Sequence, residues 1–287
     1  MYLIIRPKKI AALALVLLSV VLFVGAALHL SDASAFSQEI RIPIVMYHQV
    51  SEDPKALGKY VVSVQELEAD LIWLRDRGYT TLTVSDLIHY STHGEPFPEK
   101  SIVLTFDDGQ ESFYAYVYPL LQKYDMCALV NIVGEFVDRY SALDDHDLRY
   151  SCMTWSEIEE MAESGFVEIG NHTYSMHGTG NPRYGCTRLS GESAADYASA
   201  LRADVSQLQT LLAQVTGQGA CTFAYPFGMV STGSREVLTD MGFRALLTCE
   251  EHLNDPSEPD WLLNLGRFNR PSGTSSQEFF TRTMGIG

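Results

Sequence analysis

The chain has 287 residues, of which 46% are apolar, and its formal net charge is −16. A chain of this length and apolar content can bury one large core, and barrels of this size often form a single domain. The strong negative charge excludes nucleic acid as an expected partner, and an acidic polymer would be repelled in the same way. A neutral sugar polymer, or one that becomes cationic, would not be repelled.

The N-terminal segment predicts export. Basic residues precede an apolar run at residues 10–30, which is long enough to span a bilayer with its N-terminus in the cytoplasm. The alternative is a secretory signal cleaved after Ala35, but such signals usually have a shorter apolar core of about 7–15 residues. We expect a single-pass membrane protein whose main domain lies outside the cell, or a secreted one if the segment is cleaved. The expected organisation is a cytoplasmic N-terminus, a transmembrane anchor, a short linker and one exported domain, at residues 1–9, 10–30, 31–39 and 40–287.

Short apolar runs then alternate with amphipathic stretches. Strands are predicted at residues 43–47, 79–84, 101–106, 127–133, 166–169, 221–225, 243–248 and 262–268. Helices are predicted after capping boxes at Ser63 and Thr154, at residues 85–90 and 197–215, after Ser275, and at residues 111–124 with a bend near Pro119. An acidic loop is expected at residues 138–150. Roughly seven or eight strand–helix units predict a parallel α/β barrel.

The five cysteines cannot all pair within one chain, because their number is odd. Cys127, Cys221 and Cys249 lie in or beside apolar runs and are expected to be small core residues. Cys152 and Cys186 lie in predicted loops. The sequence allows a disulfide between them but does not predict one.

The strand at residues 101–106 leads directly into Asp107, Asp108 and Gly109. Its lack of polar alternation after Ser101 predicts burial on both faces, as in a parallel sheet. Catalytic groups and ligands gather at the carboxyl ends of such strands. Adjacent carboxylates repel each other unless a cation or a shared proton joins them. The alternative is an Asp-Gly turn that caps a helix.

A second strand, at residues 166–169, leads into a segment with His172 and His177. Histidines five residues apart diverge on an α-helix, so this is not the helical zinc motif, but they can converge on a loop. Two neutral imidazoles and the Asp108 carboxylate suit a borderline cation and leave coordination positions open. Each histidine alone would more simply be a loop residue bonded to the backbone. The three residues together favour a metal site.

These motifs resemble the polysaccharide deacetylases of carbohydrate esterase family 4. Residues 105–109, Thr-Phe-Asp-Asp-Gly, match the first family motif, in which the first Asp is the catalytic base and the second a metal ligand. The resemblance therefore implies that Asp107 is the base and Asp108 a ligand. His172 and His177 match the metal histidines of the second motif, and their spacing resembles the poly-N-acetylglucosamine deacetylase subgroup.

Residues 223–228, Phe-Ala-Tyr-Pro-Phe-Gly, resemble the third family motif. The resemblance implies that the amide just before Pro226, that of Tyr225, helps to hold the oxyanion. Tyr174 and Phe227 are candidates to face a sugar ring, and core packing is the alternative for each.

The sequence departs from the family pattern at two groups, the arginine that orients the base and the histidine that acts as general acid. The third motif lacks its initial arginine, and Arg267 after a late apolar run is the expected substitute, unless it is a surface residue. The usual late histidine that acts as general acid is also absent. In the poly-N-acetylglucosamine subgroup this acid is near the chain start, which implies His48, and a structural strand-end histidine is the alternative.

The resemblance covers about residues 40–287 and implies a deformed parallel barrel of about seven strands. It also implies a metal-dependent hydrolase that removes N-acetyl groups from N-acetylglucosamine units of an extracellular or cell-wall polysaccharide. The expected cofactor is zinc, with cobalt, nickel, iron and manganese as alternatives. The expected partners are the polysaccharide and, through the N-terminal helix, the membrane, without nucleic acid or an obligate protein partner.

Three other functions are compatible with parts of the pattern. An O-acetyl carbohydrate esterase of the xylan type needs the same metal and base. A non-catalytic carbohydrate-binding barrel is disfavoured because the Asp107, Asp108, His172 and His177 set is intact. Non-haem iron oxygenases also use two histidines and a carboxylate, but the Asp-Asp-Gly order argues against them.

Overall fold

The computed structural model describes residues 40–180 and 182–287. The expected cytoplasmic N-terminus, transmembrane anchor and linker, at residues 1–9, 10–30 and 31–39, lie outside the described residues. Within the described ranges, no helix combines the length and the apolar character that a bilayer crossing requires.

A parallel β-sheet is the central feature of the described residues. Its seven main strands pair in the order β10-β1-β5-β6-β7-β8-β9, and β4 also pairs with β5. A separate parallel pair, β2 with β3, was not predicted. The expected deformed parallel barrel is confirmed as an α/β fold with seven main parallel strands, but these strands form a half-barrel and not a complete barrel. The strands are β1 Ile44–Tyr47, β2 Gln49–Ser51, β3 Val61–Ser63, β4 Thr80–Thr81, β5 Ser101–Phe106, β6 Ala128–Ile132, β7 Val167–Asn171, β8 Thr222–Ala224, β9 Ala245–Leu247 and β10 Phe268–Asn269.

Helices connect most successive strands of the main sheet, because neighbouring parallel strands there need crossover connections. They are α1 Val64–Asp76, α2 Val84–His93, α3 Tyr118–Tyr124, α4 Gly134–Leu143, α5 Trp155–Glu163, α6 Ala194–Thr216, α7 Ser234–Asp240 and α8 Ser276–Glu278. A π-helical turn, Phe113–Val117, precedes α3 and places Pro119 in the first turn of that helix, so the irregularity expected near Pro119 is a change from π-helix to α-helix. Pro119 lacks an N–H, and a first helical turn does not need one.

Side-chain caps begin several of these helices as the sequence predicts. The capping boxes at Ser63 with Glu66 and at Thr154 with Glu157 are both formed. A third box at Thr83 was not predicted, and it starts α2 at Val84. Because Thr83 and Asp86 satisfy the first N–H groups of this helix, the chain turns into it early, and the predicted strand at 79–84 is reduced to Thr80–Thr81.

Two other predictions of secondary structure were wrong. The acidic loop expected from residue 138 begins instead as helix α4, which buries Gly134 and Val137 and leaves Glu135 and Asp138 half-buried. The strand expected at 262–268 is a 3₁₀ turn at Trp261–Asn264 followed by the short β10. A Cβ on Gly266 would lie 2.4 Å from the His252 ring. The backbone at Gly266 is therefore too close to His252 for a residue with a side chain, which interrupts a regular strand there.

The strand register brings the carboxyl ends of neighbouring strands to one edge of the sheet. Tyr47 at the end of β1 pairs with Phe106 at the end of β5. Ile132 at the end of β6 pairs with Asn171 at the end of β7. Consequently the residues that follow these strands leave the sheet side by side.

The last part of the chain contacts both ends of the strand path. Leu265 forms a parallel bridge with Leu247 of β9, and Phe268 of β10 pairs with Val45 of β1. Arg267 lies between these two attachments, so the backbone on either side of it is held by the sheet.

The buried core contains all six residues of β5 and the inward faces of the surrounding helices. The five cysteines are all free, so no bridge joins Cys152 and Cys186. These two are buried, whereas Cys127, Cys221 and Cys249 are only partly buried. The expectation that these three are small core residues is therefore confirmed only in part, and the more buried cysteines are the two whose loops fold inward.

Candidate active site

Four predicted site residues follow or precede strands that end at the same edge of the sheet. His48 follows β1, Asp107 follows β5 and His172 follows β7, while Arg267 precedes β10. Backbone bonds extend the register past the strand ends, since Asp107 N–H donates to Tyr47 O at 3.0 Å. The sequence separates these residues widely, and the parallel register brings them together.

Asp107 is held as a buried carboxylate, with 3% exposure. Its Oδ1 accepts from Arg267 Nη1 and from Asn131 Nδ2, each at 2.8 Å, and its Oδ2 accepts from Arg267 Nη2 at 2.8 Å. Burial alone raises the pKa of such a group, but the Arg267 guanidinium outweighs it and holds the pKa of Asp107 well below its usual range. Asp107 is therefore ionised, and Oδ2 keeps more free lone-pair capacity than Oδ1.

Arg267 is a fully buried arginine and not a surface residue. Besides its fork to Asp107, its Nε donates to Thr248 O at 2.8 Å, and its Nη1 lies 3.3 Å from Thr105 Oγ1. A planar fork with this many fixed partners has one orientation. The structure thus places a basic residue where the family's missing arginine was expected to act.

Asp108, His172 and His177 form a compact cluster beside Asp107. Asp108 Oδ1 lies 3.1 Å from His177 Nε2 and 3.7 Å from His172 Nε2. Asp108 and Thr173, the residue after His172, both have a φ of 74°. Left-handed backbone costs non-glycine residues of order 1–3 kcal/mol and is concentrated at functional sites. The cluster therefore depends on two unfavourable backbone conformations.

The donor set of this cluster fits a divalent cation. His172 Nδ1 lies 2.7 Å from Ala224 O, a contact that directs its Nε2 lone pair towards Asp108. Burial lowers the pKa of His172 to about 4, so the ring is neutral, as metal binding requires. The three ligand atoms lie within 4.8 Å of one another. Two imidazoles and one carboxylate leave coordination positions for substrate and water.

A cavity of about 620 Å³ opens over the cluster. Its walls include Asp107, Asp108, His172, His177 and His48, which is partly buried. The Nδ1 atom of His48 is buried and has no hydrogen-bond partner within the described residues. Its ring lies 4.8 Å from the Tyr60 ring in an edge-to-face contact. A backbone-bonded structural role does not account for this histidine.

The amide expected to hold the oxyanion is already engaged. Tyr225 N–H donates to Leu247 O at 3.0 Å in the sheet, and the Tyr225 side chain is buried away from the cavity. Pro226 has no N–H, and its carbonyl accepts from Met229. The assignment of Tyr225 is therefore corrected. Phe227 lines the cavity with a φ of 58°, and its N–H has no acceptor in the described part of the chain.

Tyr174 is a loop anchor and not a cavity residue. Its hydroxyl donates to Asp138 Oδ2 at 2.7 Å, and its N–H donates to Asp204 Oδ1 at 2.8 Å. A Cβ on Gly134 would lie 2.5 Å from its ring, which shows how closely the ring packs on helix α4. The prediction that Tyr174 faces a sugar is corrected to the packing alternative.

Several residues of the site escaped the sequence analysis. Asn131 is a polar residue inside the apolar strand β6, and that irregularity was the available signal for a contact to Asp107. Tyr60, Tyr184 and Lys59 line the cavity from loops, where no periodicity marks them. The ring centroids of Tyr184 and His177 each lie 4.7 Å from that of Phe227. These rings form an aromatic wall beside the cluster.

Comparison with known proteins finds relatives in two organisms that carry the same name. A poly-beta-1,6-N-acetyl-D-glucosamine N-deacetylase of Escherichia coli K12 is 28% identical over 246 residues, covering 79% of this chain and 37% of its own length. One from Staphylococcus aureus MRSA252 is 26% identical over 209 residues, covering 73% of this chain and 68% of its own length. The chain thus spans little more than a third of the E. coli relative.

Solved structures share the fold. A de-N-acetylase from Aggregatibacter actinomycetemcomitans has a TM-score of 0.72 at 23% identity, covering 84% of this chain and all of its own (100%). IcaB from Ammonifex degensii has a TM-score of 0.68 at 25% identity, covering 80% and 91%. The family model described as polysaccharide deacetylase matches residues 94–246, more than half of the chain. With the Asp-Asp-Gly strand end and the two histidines inside that match, the chain belongs to the polysaccharide deacetylase family of hydrolases.

Proposed function

We propose that this chain is a metal-dependent hydrolase that removes N-acetyl groups from N-acetylglucosamine units of an extracellular or cell-wall polysaccharide. The observation that carries the proposal is that a candidate base and a candidate metal ligand are adjacent residues at one strand end. Asp107, ionised and oriented by Arg267, adjoins Asp108, which faces His172 and His177. The relatives named as poly-N-acetylglucosamine N-deacetylases support this substrate class.

Asp108, His172 and His177 would hold the cation, which we propose to be zinc. A divalent cation there supplies Lewis-acid chemistry, namely polarisation of the acetyl carbonyl and a lower pKa for water. Imidazole and carboxylate ligands suit zinc, while cobalt, nickel, iron and manganese accept the same set. Elemental analysis of the purified protein identifies the ion.

Asp107 acts as general base in this proposal. Its Oδ2 has one donor, Arg267 Nη2, whereas Oδ1 has two, so Oδ2 takes the proton as water attacks the acetyl carbon. Arg267 and Asn131 keep the carboxylate from turning while it changes charge. Because its pKa is low, Asp107 releases this proton to solvent water, and solvent returns one proton to His48 after the amine has left.

Two cavity groups serve the carbonyl oxygen and the leaving nitrogen. Phe227 N–H, which replaces Tyr225 N–H in this role, donates to the oxyanion. His48 protonates the amine as the C–N bond breaks, since an amide cannot leave without that proton. The cavity admits a sugar unit beside Tyr60, Tyr184 and Phe227, which offer flat apolar faces.

We also propose that the chain is anchored in the membrane by residues 10–30 with its main domain outside. The basic residues before this apolar run and its length support the proposal. Full-length protein should remain with membranes after high-salt and carbonate washes, and outside protease should degrade the domain. A soluble product that begins at Phe36 would show cleavage after Ala35 instead.

The decisive experiment measures acetate release by the full-length chain. The substrates are β-1,6-linked and chitin-type N-acetylglucosamine oligomers, peptidoglycan and acetylxylan, each with and without a chelator, and Asp107→Asn is the inactive control. We expect chelator-sensitive release from N-acetylglucosamine polymers under anaerobic conditions without a reductant. Release from acetylxylan alone would replace the proposal with an O-acetyl esterase, and a need for oxygen would indicate an oxygenase.

A further inference from the structure

A second cluster of metal-type ligands lies outside the site described above. It consists of Glu111, three residues beyond Asp108, His146 in the loop after α4, and Glu157 in the first turn of α5. One ligand atom from each lies within 4.8 Å of the others. His146 Nδ1 is 2.8 Å from Glu111 Oε1 and 3.2 Å from Glu157 Oε1.

The two carboxylates of this cluster are withdrawn from water. Their side chains are 4% and 10% exposed, and Glu111 Oε2 is buried without a hydrogen-bond partner among the described residues. Burial and the neighbouring Glu157 raise the pKa of Glu111, although His146 opposes this. A buried oxygen without a donor is unfavourable, and two adjacent carboxylates are unfavourable unless a cation or a shared proton joins them. His146 Nδ1 lies within ion-pair distance of one oxygen of each carboxylate, and this single atom leaves Glu111 Oε2 without a partner among the described residues.

Other contacts of Glu157 and His146 leave the atoms that face each other in the cluster free to bind a common ligand. Glu157 uses Oε2 to cap helix α5, accepting from Thr154 N at 2.7 Å, so its Oε1 is available. On the other side of the imidazole, Asp144 Oδ1 lies 3.4 Å from His146 Nε2. A carboxylate on the distal nitrogen is the usual outer partner of a metal-binding histidine, because it fixes the tautomer.

We propose that Glu111, His146 and Glu157 bind a second divalent cation of the zinc class. Three protein ligands leave a fourth position for water, and the His146 side chain, 45% exposed, lies at the solvent entrance. Ligand atoms around a tetrahedral zinc lie about 3.3 Å apart, so the observed distances require only a small outward movement. The imidazole disfavours calcium and magnesium, which select oxygen ligands.

This cation would fasten the loop after α4 to the chain that carries the candidate active-site carboxylates. Glu111 N–H donates to Ser151 O at 2.9 Å, and Met153 N–H donates to Gly109 O at 2.9 Å. The loop therefore already contacts the chain on both sides of Gln110. A bound ion would add a link between Glu111 and helix α5, and its role is structural.

Zinc stoichiometry of the full-length chain tests the proposal. His177→Ala removes a ligand of the first cluster, and elemental analysis after equilibration with buffered Zn²⁺ counts the ions that remain. We expect two equivalents in the wild type, one in His177→Ala, and none when Glu111→Gln or His146→Ala is added. Zinc at about 100-fold excess over its Kd should raise the Tm of His177→Ala by about 5–10 °C, and the second substitution should abolish this rise.

A matched control uses an exposed histidine near a carboxylate outside both clusters. His89 Nε2 lies 3.6 Å from Glu95 Oε2, and His89→Ala in the His177→Ala background should still bind one equivalent. Because His146 contacts two buried carboxylates, far-UV circular dichroism of His146→Ala checks that the fold survives, and Glu111→Gln tests the site independently. Equal zinc content with and without the Glu111 and His146 substitutions would overturn this proposal. Equal content in the wild type and His177→Ala would instead count against the first cluster.

Discussion

Arg267 and Asp107 form a bidentate ion pair in which both donor–acceptor distances are 2.8 Å and the two side chains are 0% and 3% exposed. The residues are 160 positions apart in the chain. Arg267 immediately precedes β10, and β10 pairs with β1. The arginine therefore links the Asp107 carboxylate to the strand at the edge of the sheet. We therefore expect loss of either partner to lower the stability of the domain and to disturb the orientation of the proposed base.

Substitutions of Arg267 separate these two contributions. Arg267→Met leaves a buried carboxylate unpaired and should lower the free energy of unfolding by about 3–5 kcal/mol, measured by urea denaturation. Arg267→Lys keeps the charge but loses the fork, so it should cost less stability while kcat still falls by about 100-fold. Arg244→Lys is the control, because that guanidinium donates to Thr92 Oγ1 at the surface. Normal kcat in Arg267→Lys would show that the fork does not orient the base.

The ion pair also predicts an acid-sensitive contribution to stability. The folded pKa of Asp107 is lowered, so its contribution is fully present above its unfolded pKa, about 3.9, and is lost as the pH falls towards the folded value. The difference in unfolding free energy between the wild type and Asp107→Asn should be constant above about pH 5 and shrink below about pH 4. A difference that grows on acidification would contradict the pairing.

Ligand and base substitutions should give different metal contents. Asp108→Ala, His172→Ala and His177→Ala should each lose the catalytic ion and all measurable turnover, because only two ligands remain. Asp107→Asn should keep the ion and lose turnover, because an amide does not accept the proton of water. Elemental analysis combined with acetate release distinguishes the two classes. A full ion content in Asp108→Ala would remove it from the ligand set.

The acid role of His48 predicts a dependence on the leaving group. His48→Ala should keep the fold and metal but lose about 10²–10⁴ in rate on an N-acetyl substrate. On an activated aryl acetate, whose leaving group needs no proton, the loss should be much smaller. The comparison uses kcat/KM for both substrates with one enzyme preparation. Equal losses would leave His48 as a positioning residue.

The aromatic wall predicts which tyrosine affects substrate binding. Tyr184→Ala should raise KM for an oligosaccharide several-fold with little change in kcat, because stacking on a sugar is present in both ground and transition states. Tyr174→Phe removes the hydroxyl bonded to Asp138 and should lower stability by about 1 kcal/mol without changing KM. The reverse result, a KM effect at Tyr174 and none at Tyr184, would restore the original prediction.

Features that depend on near neighbours in the chain were determined by the sequence. The capping boxes at Ser63 and Thr154 need residues three positions apart, and both are formed. The buried strand Ser101–Phe106 is marked by its unbroken apolar run, and its end places Asp107 and Asp108 at the edge of the sheet. The long helix at 194–216 follows directly from its apolar spacing.

Contacts between distant segments were decided only by the tertiary structure. The sequence allows Arg267 to be either the substitute for the family's arginine or a surface residue. The register of β10 with β1 decides between them, because it buries Arg267 against Asp107. The availability of Tyr225 N–H depended on whether β8 pairs with β9, and this pairing uses that N–H for Leu247. A sequence motif specifies which groups are present, but hydrogen bonds between neighbouring strands determine which of those groups remain free for chemistry.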